Sequence, residues 1–190
     1  MIKSKFIAGV DEVGRGCLAG PVVSAAVILK KGIKLDMLKD SKQLSFSKRK
    51  EISYEIKNNS YFSIGVASVK EIEKLNILQA SLLSMKRAVL KLSKKPDLVM
   101  VDGIFSPNIS HKCKTVIKGD EKIKCIAAAS ILAKVFRDEL MIKMSKKFDK
   151  YSWNKNFGYG TKQHIIGLKK HGLTIMHRKN FKPIHKMLLK

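Results

Sequence analysis

Acidic side chains are scarce in this chain of 190 residues. Only 15 Asp and Glu stand against 39 Lys and Arg, so the formal net charge is +24. Such an excess of one sign indicates a polyanionic partner, most simply nucleic acid. A lysine-rich, solvated surface explains part of the charge without any partner.

Long apolar runs are missing as well. No uninterrupted apolar span reaches the about 18 residues that a membrane helix needs. The N-terminus lacks the apolar core of a signal peptide, because Lys3 and Lys5 lead directly into a short strand. We therefore expect a cytoplasmic protein with no membrane partner. Repeats and low-complexity linkers are also absent. The length predicts a single domain, with a core over about 1–150 and an integrated helical segment over about 151–190.

Cysteine is sparse. Cys17, Cys113 and Cys125 form an odd set without C-x-x-C spacing. This excludes a disulfide framework and a zinc site, and it indicates reduced thiols in a cytosolic protein. The five histidines show no ligand motif either, so we expect structural or solvent-facing roles for them.

Apolar periodicity predicts alternating strands and helices, as in an α/β protein. Strands are predicted at 5–12, 20–30, 61–69, 98–101 and 114–118, and helices at about 45–57, 76–93, 123–147 and 161–170. Ser45 or Ser47 can cap the first helix, and Pro96 is expected to end the second. Thr161 and Gly172 can bound the last one.

The first strand ends in two carboxylates, Asp11 and Glu12, and the turn Gly14-Arg15-Gly16 follows at once. Side chains alternate across a strand, so both carboxylates cannot point the same way while the pleat stays regular. If both serve one site, the backbone must leave β geometry there, and the glycines permit it. Carboxylates beside this turn suit a site that holds hard cations and admits a polyanion. A flexible acidic β-turn is the alternative.

Two further carboxylates lie near predicted strand ends. The apolar run 98–101 is typical of a strand buried on both faces, and it ends in Asp102, where functional groups gather in open α/β sheets. Asp120 precedes the long helix, where a capping role and a ligand role are both open. Asp138 is its rival. Eighteen helical residues span roughly 27 Å, so Asp138 cannot share one ion cluster with Asp120. Carboxylates without His or Cys ligands favour Mg²⁺ or Mn²⁺ over zinc.

These motifs together resemble the ribonuclease HII family. The resemblance is carried, in family order, by Asp11-Glu12-Val13-Gly14-Arg15-Gly16 with Ala19-Gly20-Pro21, by Asp40-Ser41-Lys42-Gln43-Leu44, Val101-Asp102-Gly103 and Lys118-Gly119-Asp120, by residues 126–134, and by Gly158-Tyr159-Gly160-Thr161. It implies a ribonuclease H-like mixed five-stranded sheet flanked by helices, with a C-terminal helical extension. The order of elements alone would not select this fold.

The resemblance also implies the site. Asp11, Glu12, Asp102 and Asp120 are expected to be catalytic and to hold two divalent cations, Mn²⁺ or Mg²⁺, with Asp11 bridging both. Two such ions about 4 Å apart can activate a water and stabilise the leaving oxygen of a phosphodiester.

Substrate contacts follow from the same resemblance. Gly14, Arg15 and Gly16 are expected to approach the 2′-hydroxyl of a ribonucleotide, the one chemical handle that distinguishes it inside a duplex. Tyr159 is expected to stack on the neighbouring sugar, with a core aromatic as the alternative. Lys42 is a candidate phosphate contact, although a solvated lysine is the other interpretation.

The implied activity is endonucleolytic. The RNA strand of RNA–DNA hybrids is hydrolysed, and duplex DNA is cut 5′ to single embedded ribonucleotides, leaving 5′-phosphate and 3′-hydroxyl ends. The implied roles are ribonucleotide removal from DNA and RNA primer removal, by a monomer.

Two alternatives stay open at this point. Ribonuclease HIII carries an extra N-terminal domain and a Gly-Thr-Gly turn, whereas this chain begins its first strand at residue 5 and reads Gly14-Arg15-Gly16. A basic, non-catalytic nucleic-acid binder explains the charge but leaves the carboxylates unexplained.

Overall fold

The computed structural model describes residues 6–30 and 45–189. Five strands lie within them: β1 (Ile7–Val13), β2 (Val22–Leu29), β3 (Ser60–Ala67), β4 (Leu98–Asp102) and β5 (Cys113–Val116). The α-helices are α1 (Phe46–Asn58), α2 (Val69–Leu75), α3 (Ile77–Leu90), α4 (Gly119–Lys122), α5 (Lys124–Ser145), α6 (Trp153–Asn156), α7 (Lys162–His171) and α8 (Lys182–Leu188), and a 3₁₀ turn covers Asp149–Tyr151. None of these helices is long and apolar enough to cross a membrane.

The strands form one mixed sheet in the order β3-β2-β1-β4-β5. β1 pairs antiparallel with β2, and β2 pairs antiparallel with β3. β4 runs parallel to β1 on one side and to β5 on the other. The predicted mixed five-stranded sheet is therefore confirmed. Because β1, β4 and β5 run in the same direction, their carboxyl ends meet at one edge of the sheet.

Each face of the sheet packs against a different helix. Alanines and isoleucines of α5 form one core with Ala25 and Val27 of β2. Met85, Ala88 and Val89 of α3 form the other core with β1 and β4. Gly9 faces α5 so closely that a methyl group there would overlap the helix backbone. The long helix is thus fixed directly over β1, the strand that carries the first two carboxylates.

Helix ends differ from the sequence prediction in places. Ser45 caps α1 and Thr161 caps α7, as expected. α2 was not predicted, although a capping box formed by Ser68 and Glu71 marks its start. α3 ends at Leu90, before Pro96, so the proline does not terminate it.

The segment after α5 packs on the loop that follows β1. Leu18 and Ala19 from that loop share a core with Met141 of α5 and with Trp153 and Leu168 of the C-terminal segment. The backbone also joins the two parts, because Ala19 and the segment's His177 form an isolated β-bridge.

Candidate active site

Asp11 and Asp102 lie side by side at the carboxyl ends of two parallel strands. Val10 pairs with Val101, and each carboxylate is the next residue. Both valines belong to the core under α3, so the residues that follow them project toward α5. Ser130 of α5 hydrogen-bonds to the Asp11 carboxylate. The fold therefore brings together two carboxylates that lie 91 positions apart in the sequence.

Glu12 leaves the strand on the opposite face from Asp11. Pairing with β2 is regular from Gly9 to Val13, so the two carboxylates alternate. The expected departure from β geometry comes only after Glu12, at Gly14, whose φ is +95°. Glu12 Oε1 accepts a hydrogen bond from Arg15 Nη1 at 3.1 Å. The turn thus curls back toward the second carboxylate.

Asp120 is carried to the same edge by α4. The backbone N–H of Gly119 donates to Asp102 Oδ1 at 2.6 Å, which ties the start of α4 to the end of β4. Asp120 is only 9% exposed. It does not cap the long helix, whose N-cap residue is Ile123. The capping interpretation of Asp120 is therefore wrong.

Asp138 has a structural position instead. It is fully buried on α5 and accepts a hydrogen bond from Lys134 Nζ at 2.9 Å. Arg49 Nη1 lies 3.9 Å from its other oxygen. This carboxylate holds two cations in place, away from the strand-end carboxylates.

The strand-end carboxylates repel one another. Burial raises the pKa of Asp11 well above its usual value, and the charges of Glu12 and Asp102 raise it further. Burial also raises the pKa of Glu12, against the lowering effect of Arg15. Negative charge is therefore concentrated and poorly compensated at this edge, which is the electrostatic setting that a bound cation would relieve.

The donor chemistry fits a hard divalent cation, since all four candidate ligands are carboxylates. Among the described residues, no group of three or more His, Cys, Asp or Glu side chains is arranged to hold a metal ion. Mg²⁺ commonly takes one or two protein carboxylates and completes its shell with water and substrate phosphate. The carboxylates at this edge match that kind of open site and not a closed cage.

The two glycines of the turn have different surroundings. Gly14 is buried with a positive φ, and a methyl group there would overlap the Arg137 side chain. Gly16 is exposed, and a methyl group there would meet no atom within 4 Å. Its φ is not in the left-handed range. Packing explains the first glycine, whereas open space surrounds the second.

Tyr159 lines a cleft that also contains Glu12, and it is 39% exposed. The cleft is lined by Glu12, Val13, Arg49, Ser130, Ile131, Lys134 and Tyr159. Lys134 Nζ lies 5.6 Å from the centre of the Tyr159 ring. The predicted tyrosine therefore lines the same cleft as Glu12, with Lys134 over its ring.

Comparison with known proteins identifies the family. A family model described as ribonuclease HII matches residues 8–184. The ribonuclease HII of Pelagibacter ubique is 56% identical over 185 residues, covering 97% of this chain and 100% of that protein. The chain belongs to the ribonuclease HII family. As a member of it, the chain is an endonucleolytic hydrolase of the ribonuclease H type, acting on RNA–DNA hybrids. The non-catalytic alternative is excluded.

Solved structures share the fold. Ribonuclease H2 from Pyrococcus horikoshii superimposes with a TM-score of 0.79 at 24% identity, covering 96% of each chain. Bst-RNase HIII in complex with Mn²⁺ gives a TM-score of 0.80 at 19% identity, covering 97% of this chain but 69% of that one. Because the family model and the relatives with high identity are of the HII type, the HIII alternative is excluded.

Several residues that lie beside the candidate active site were not identified by sequence analysis. Ser130 lay within a family motif, but its position facing Asp11 depends on how α5 crosses the sheet. Arg137 and Arg178 gave no signal, because the carbonyls that they bind in the loop after β1 lie more than 110 residues away in the sequence. Lys42, the candidate phosphate contact, is outside the described residues.

Proposed function

We propose that this enzyme hydrolyses phosphodiester bonds with divalent cations, Mn²⁺ or Mg²⁺, held by Asp11, Glu12, Asp102 and Asp120. The observation that carries the proposal is that Asp11 and Asp102 lie side by side at the strand ends, with α4 tied to Asp102, and that neighbouring carboxylates raise the pKa of Asp11. Two bound ions would supply an activated water and stabilisation of the leaving oxygen. The Mn²⁺ found with Bst-RNase HIII, a protein of the same fold, supports an ion of this class.

The carboxylates contribute position as well as charge. Asp102 is fixed by the N–H of Gly119, and Asp11 is fixed by Ser130 and by the N–H of Glu12 at 2.7 Å. Ligand oxygens held in this way need little rearrangement when an ion and a phosphate arrive. In the free protein, Arg15 compensates the charge of Glu12, and it is well placed to turn toward a phosphate.

The turn Gly14-Arg15-Gly16 reads the ribonucleotide in this proposal. Arg15 and Gly16 are exposed beside the carboxylates, and no side chain of the described residues stands over Gly16. A sugar can therefore approach the backbone, where amide groups can bond to a 2′-hydroxyl. The cut falls on the 5′ side of the ribonucleotide and leaves 5′-phosphate and 3′-hydroxyl ends.

Tyr159 and the cations of the cleft hold the rest of the substrate. The partly exposed ring of Tyr159 suits stacking on the sugar next to the scissile bond. Arg49 and Lys134 bring positive charge to the same cleft, and Asp138 keeps both in place. The net charge of +24 extends this attraction to the whole duplex. Single ribonucleotides in duplex DNA and RNA–DNA hybrids are the proposed substrates.

A cleavage assay on an end-labelled duplex that contains one ribonucleotide tests the proposal. We expect one product, cut 5′ to the ribonucleotide, with Mn²⁺ or Mg²⁺ and none with EDTA. A duplex of the same sequence made only of DNA is the control for a contaminating nuclease. If a stretch of four ribonucleotides is cut while the single ribonucleotide stays intact, single-ribonucleotide recognition is wrong. Cleavage that persists in EDTA would contradict the metal mechanism.

A further inference from the structure

Two arginines are buried beside the turn without a carboxylate partner. Arg137 of α5 and Arg178 of the C-terminal segment are both 0% exposed. Within the part of the chain that the structure describes, neither forms an ion pair. A buried cation is unfavourable unless other groups satisfy it, so its hydrogen bonds show what it holds.

Both guanidinium groups bind backbone carbonyls of the loop that follows β1. Arg178 donates to the carbonyls of Gly14 at 2.7 Å, Arg15 at 2.9 Å and Gly20 at 2.8 and 2.9 Å. Arg137 donates to the carbonyls of Ala19, Pro21 and Phe157, at 3.0, 3.0 and 2.8 Å. Only Arg178 binds carbonyls of the turn itself.

Holding these carbonyls fixes the direction of the amides beyond them. In a trans peptide, the C=O of one residue and the N–H of the next point in opposite directions. Arg178 draws the Gly14 and Arg15 carbonyls inward, so the N–H groups of Arg15 and Gly16 face outward. These two residues are exposed, and no acceptor for either amide is found among the described residues. The outward amides are free donors at the place where a ribose would approach.

The C-terminal segment is built to deliver this arginine. Leu18 accepts a hydrogen bond from the backbone N–H of Arg178 at 2.9 Å, and Gly20 N–H donates to the Met176 carbonyl at 2.8 Å. The segment therefore runs along the loop and inserts the guanidinium beneath it. Arginine suits this position because its planar fork carries five donors, whereas lysine offers one compact point charge.

We propose that Arg178 is a positioning residue for ribonucleotide recognition: it holds the Gly14 and Arg15 carbonyls inward so that the amides of Arg15 and Gly16 face the 2′-hydroxyl. The inference rests on the proposed role of the turn in reading the ribose. It makes the C-terminal segment part of the substrate site, although Arg178 itself touches no substrate.

The test uses full-length Arg178→Lys and Arg178→Gln, with Leu168→Ala as the matched control. Leu168 is buried in the core that the C-terminal segment shares with Leu18 and Ala19, so its truncation lowers the melting temperature without removing a bond to the turn. We expect kcat on the single-ribonucleotide duplex to fall on the order of 10–100-fold in Arg178→Gln, less in Arg178→Lys, with KM within threefold. Leu168→Ala should keep the wild-type kcat below its melting temperature.

Loss of kcat in Leu168→Ala to the same extent would overturn the inference, because the effect would then follow stability alone. Unchanged kcat in folded Arg178→Gln would overturn it as well. The wild-type arm reports separately on the proposed function. If the wild type cuts only the four-ribonucleotide duplex, the variants are compared on that substrate, where the turn faces the same ribose and the same differences are expected.

A measurement on the wild type covers the case in which Arg178 variants do not fold. We expect amide hydrogen exchange to be fast at Arg15 and Gly16 in the free protein. It should slow when a duplex with one ribonucleotide is bound with Ca²⁺ in place of the active ion, and not with the all-DNA duplex. Slow exchange of both amides in the free protein would show that they are already bonded, and the inference would fail.

Discussion

Buried charged side chains have opposite surroundings on the two sides of the turn Gly14-Arg15-Gly16. On the strand side, Asp11 is 6% exposed, and burial together with neighbouring carboxylates raises its pKa well above the usual value. On the C-terminal side, Arg178 is just as buried, yet its donors reach three backbone carbonyls. Asp11 keeps its buried carboxylate beside other carboxylates that repel it, whereas the guanidinium group of Arg178 is satisfied by backbone carbonyls of the protein itself.

The same contrast extends to the histidines behind the turn. Thr174 N–H donates to His177 Nδ1 at 2.9 Å, so His177 Nε2 carries the proton and donates to His164 Nε2 at 3.1 Å. His164 Nδ1 then donates to the Tyr159 carbonyl at 2.8 Å. Both rings are neutral in this arrangement. Carboxylates that repel one another thus lie at the candidate active site. The buried histidines and arginines, whose polar atoms are bonded within the protein, hold the backbone beside that site.

The largest effect should come from removing charge on the strand side. Asp11→Asn should lower the cleavage rate by at least about 1000-fold, since a lost metal ligand should cost more than one preorganised contact. The fold should be unharmed, because the amide oxygen can still accept from the Glu12 N–H. We expect an equal or higher melting temperature, since the repulsion is gone. Activity and thermal unfolding measured together check both parts.

A matched control removes a carboxylate elsewhere. Glu139→Gln breaks an exposed pair with Lys50 and should leave cleavage unchanged. Mn²⁺ should raise the melting temperature of the wild type and of Glu139→Gln, and less that of Asp11→Asn. An equal rise in all three proteins would mean that the ion binds elsewhere.

Substitutions of the two glycines should distinguish a role in packing from a role in substrate binding. Gly14→Ala places a methyl group against Arg137 at a positive φ, so we expect a loss of about 2–4 kcal/mol in the free energy of unfolding. Gly16→Ala meets no atom of the described residues within 4 Å, so its stability should stay within about 0.5 kcal/mol of the wild type. Its kcat/KM should nevertheless fall on the order of 10–100-fold, since in the proposed function the methyl group stands where the ribose approaches. Urea unfolding and cleavage kinetics give the two quantities.

Wild-type cleavage by Gly16→Ala would show that the substrate does not approach this backbone. Unchanged stability of Gly14→Ala would show that Arg137 can move aside, and that its hydrogen bonds to backbone carbonyls do not hold it rigidly.

Local patterns predicted what depends on nearby residues. The strands of the sheet, the caps Ser45 and Thr161, and the carboxylates at strand ends were all visible in the sequence. The hydrogen bonds of Arg178 were not visible, because a contact from residue 178 to carbonyls near residue 14 produces no periodicity and no composition signal.

Tyr159 connects the buried histidines to the candidate active site, because His164 binds its carbonyl while its ring faces the cleft. Tyr159→Ala should cost stacking worth about 1–3 kcal/mol, by analogy with base–aromatic contacts. The loss should fall more on kcat than on KM, because in the proposed function the ring orients the scissile bond. Tyr159→Phe keeps the ring and should be milder. Single-turnover rates on the single-ribonucleotide duplex decide, and equal losses in both variants would assign the effect to the hydroxyl.

The smallest effect should appear as a change of stability with pH. Burial lowers the pKa of His177 to about 4 from 6.5, so the unfolded chain binds more protons between these values. Stability from the neutral pair is therefore complete above about pH 6.5 and is lost as the pH falls toward 4. Between pH 7.5 and pH 5 we expect a loss of about 2 kcal/mol from this group, or roughly 4–8 °C in melting temperature. Asp11 and Glu12 act in the opposite direction, because a raised carboxylate pKa favours the folded state as the pH falls.

Only the difference between two pH profiles isolates the histidine. Unfolding of His177→Gln should depend less on pH than the wild type, while His185→Gln, a change at an exposed histidine, should match the wild type. Parallel profiles for the wild type and His177→Gln would mean that the pair is not held neutral by burial, and the contrast between the two sides of the turn would then not extend to the histidines.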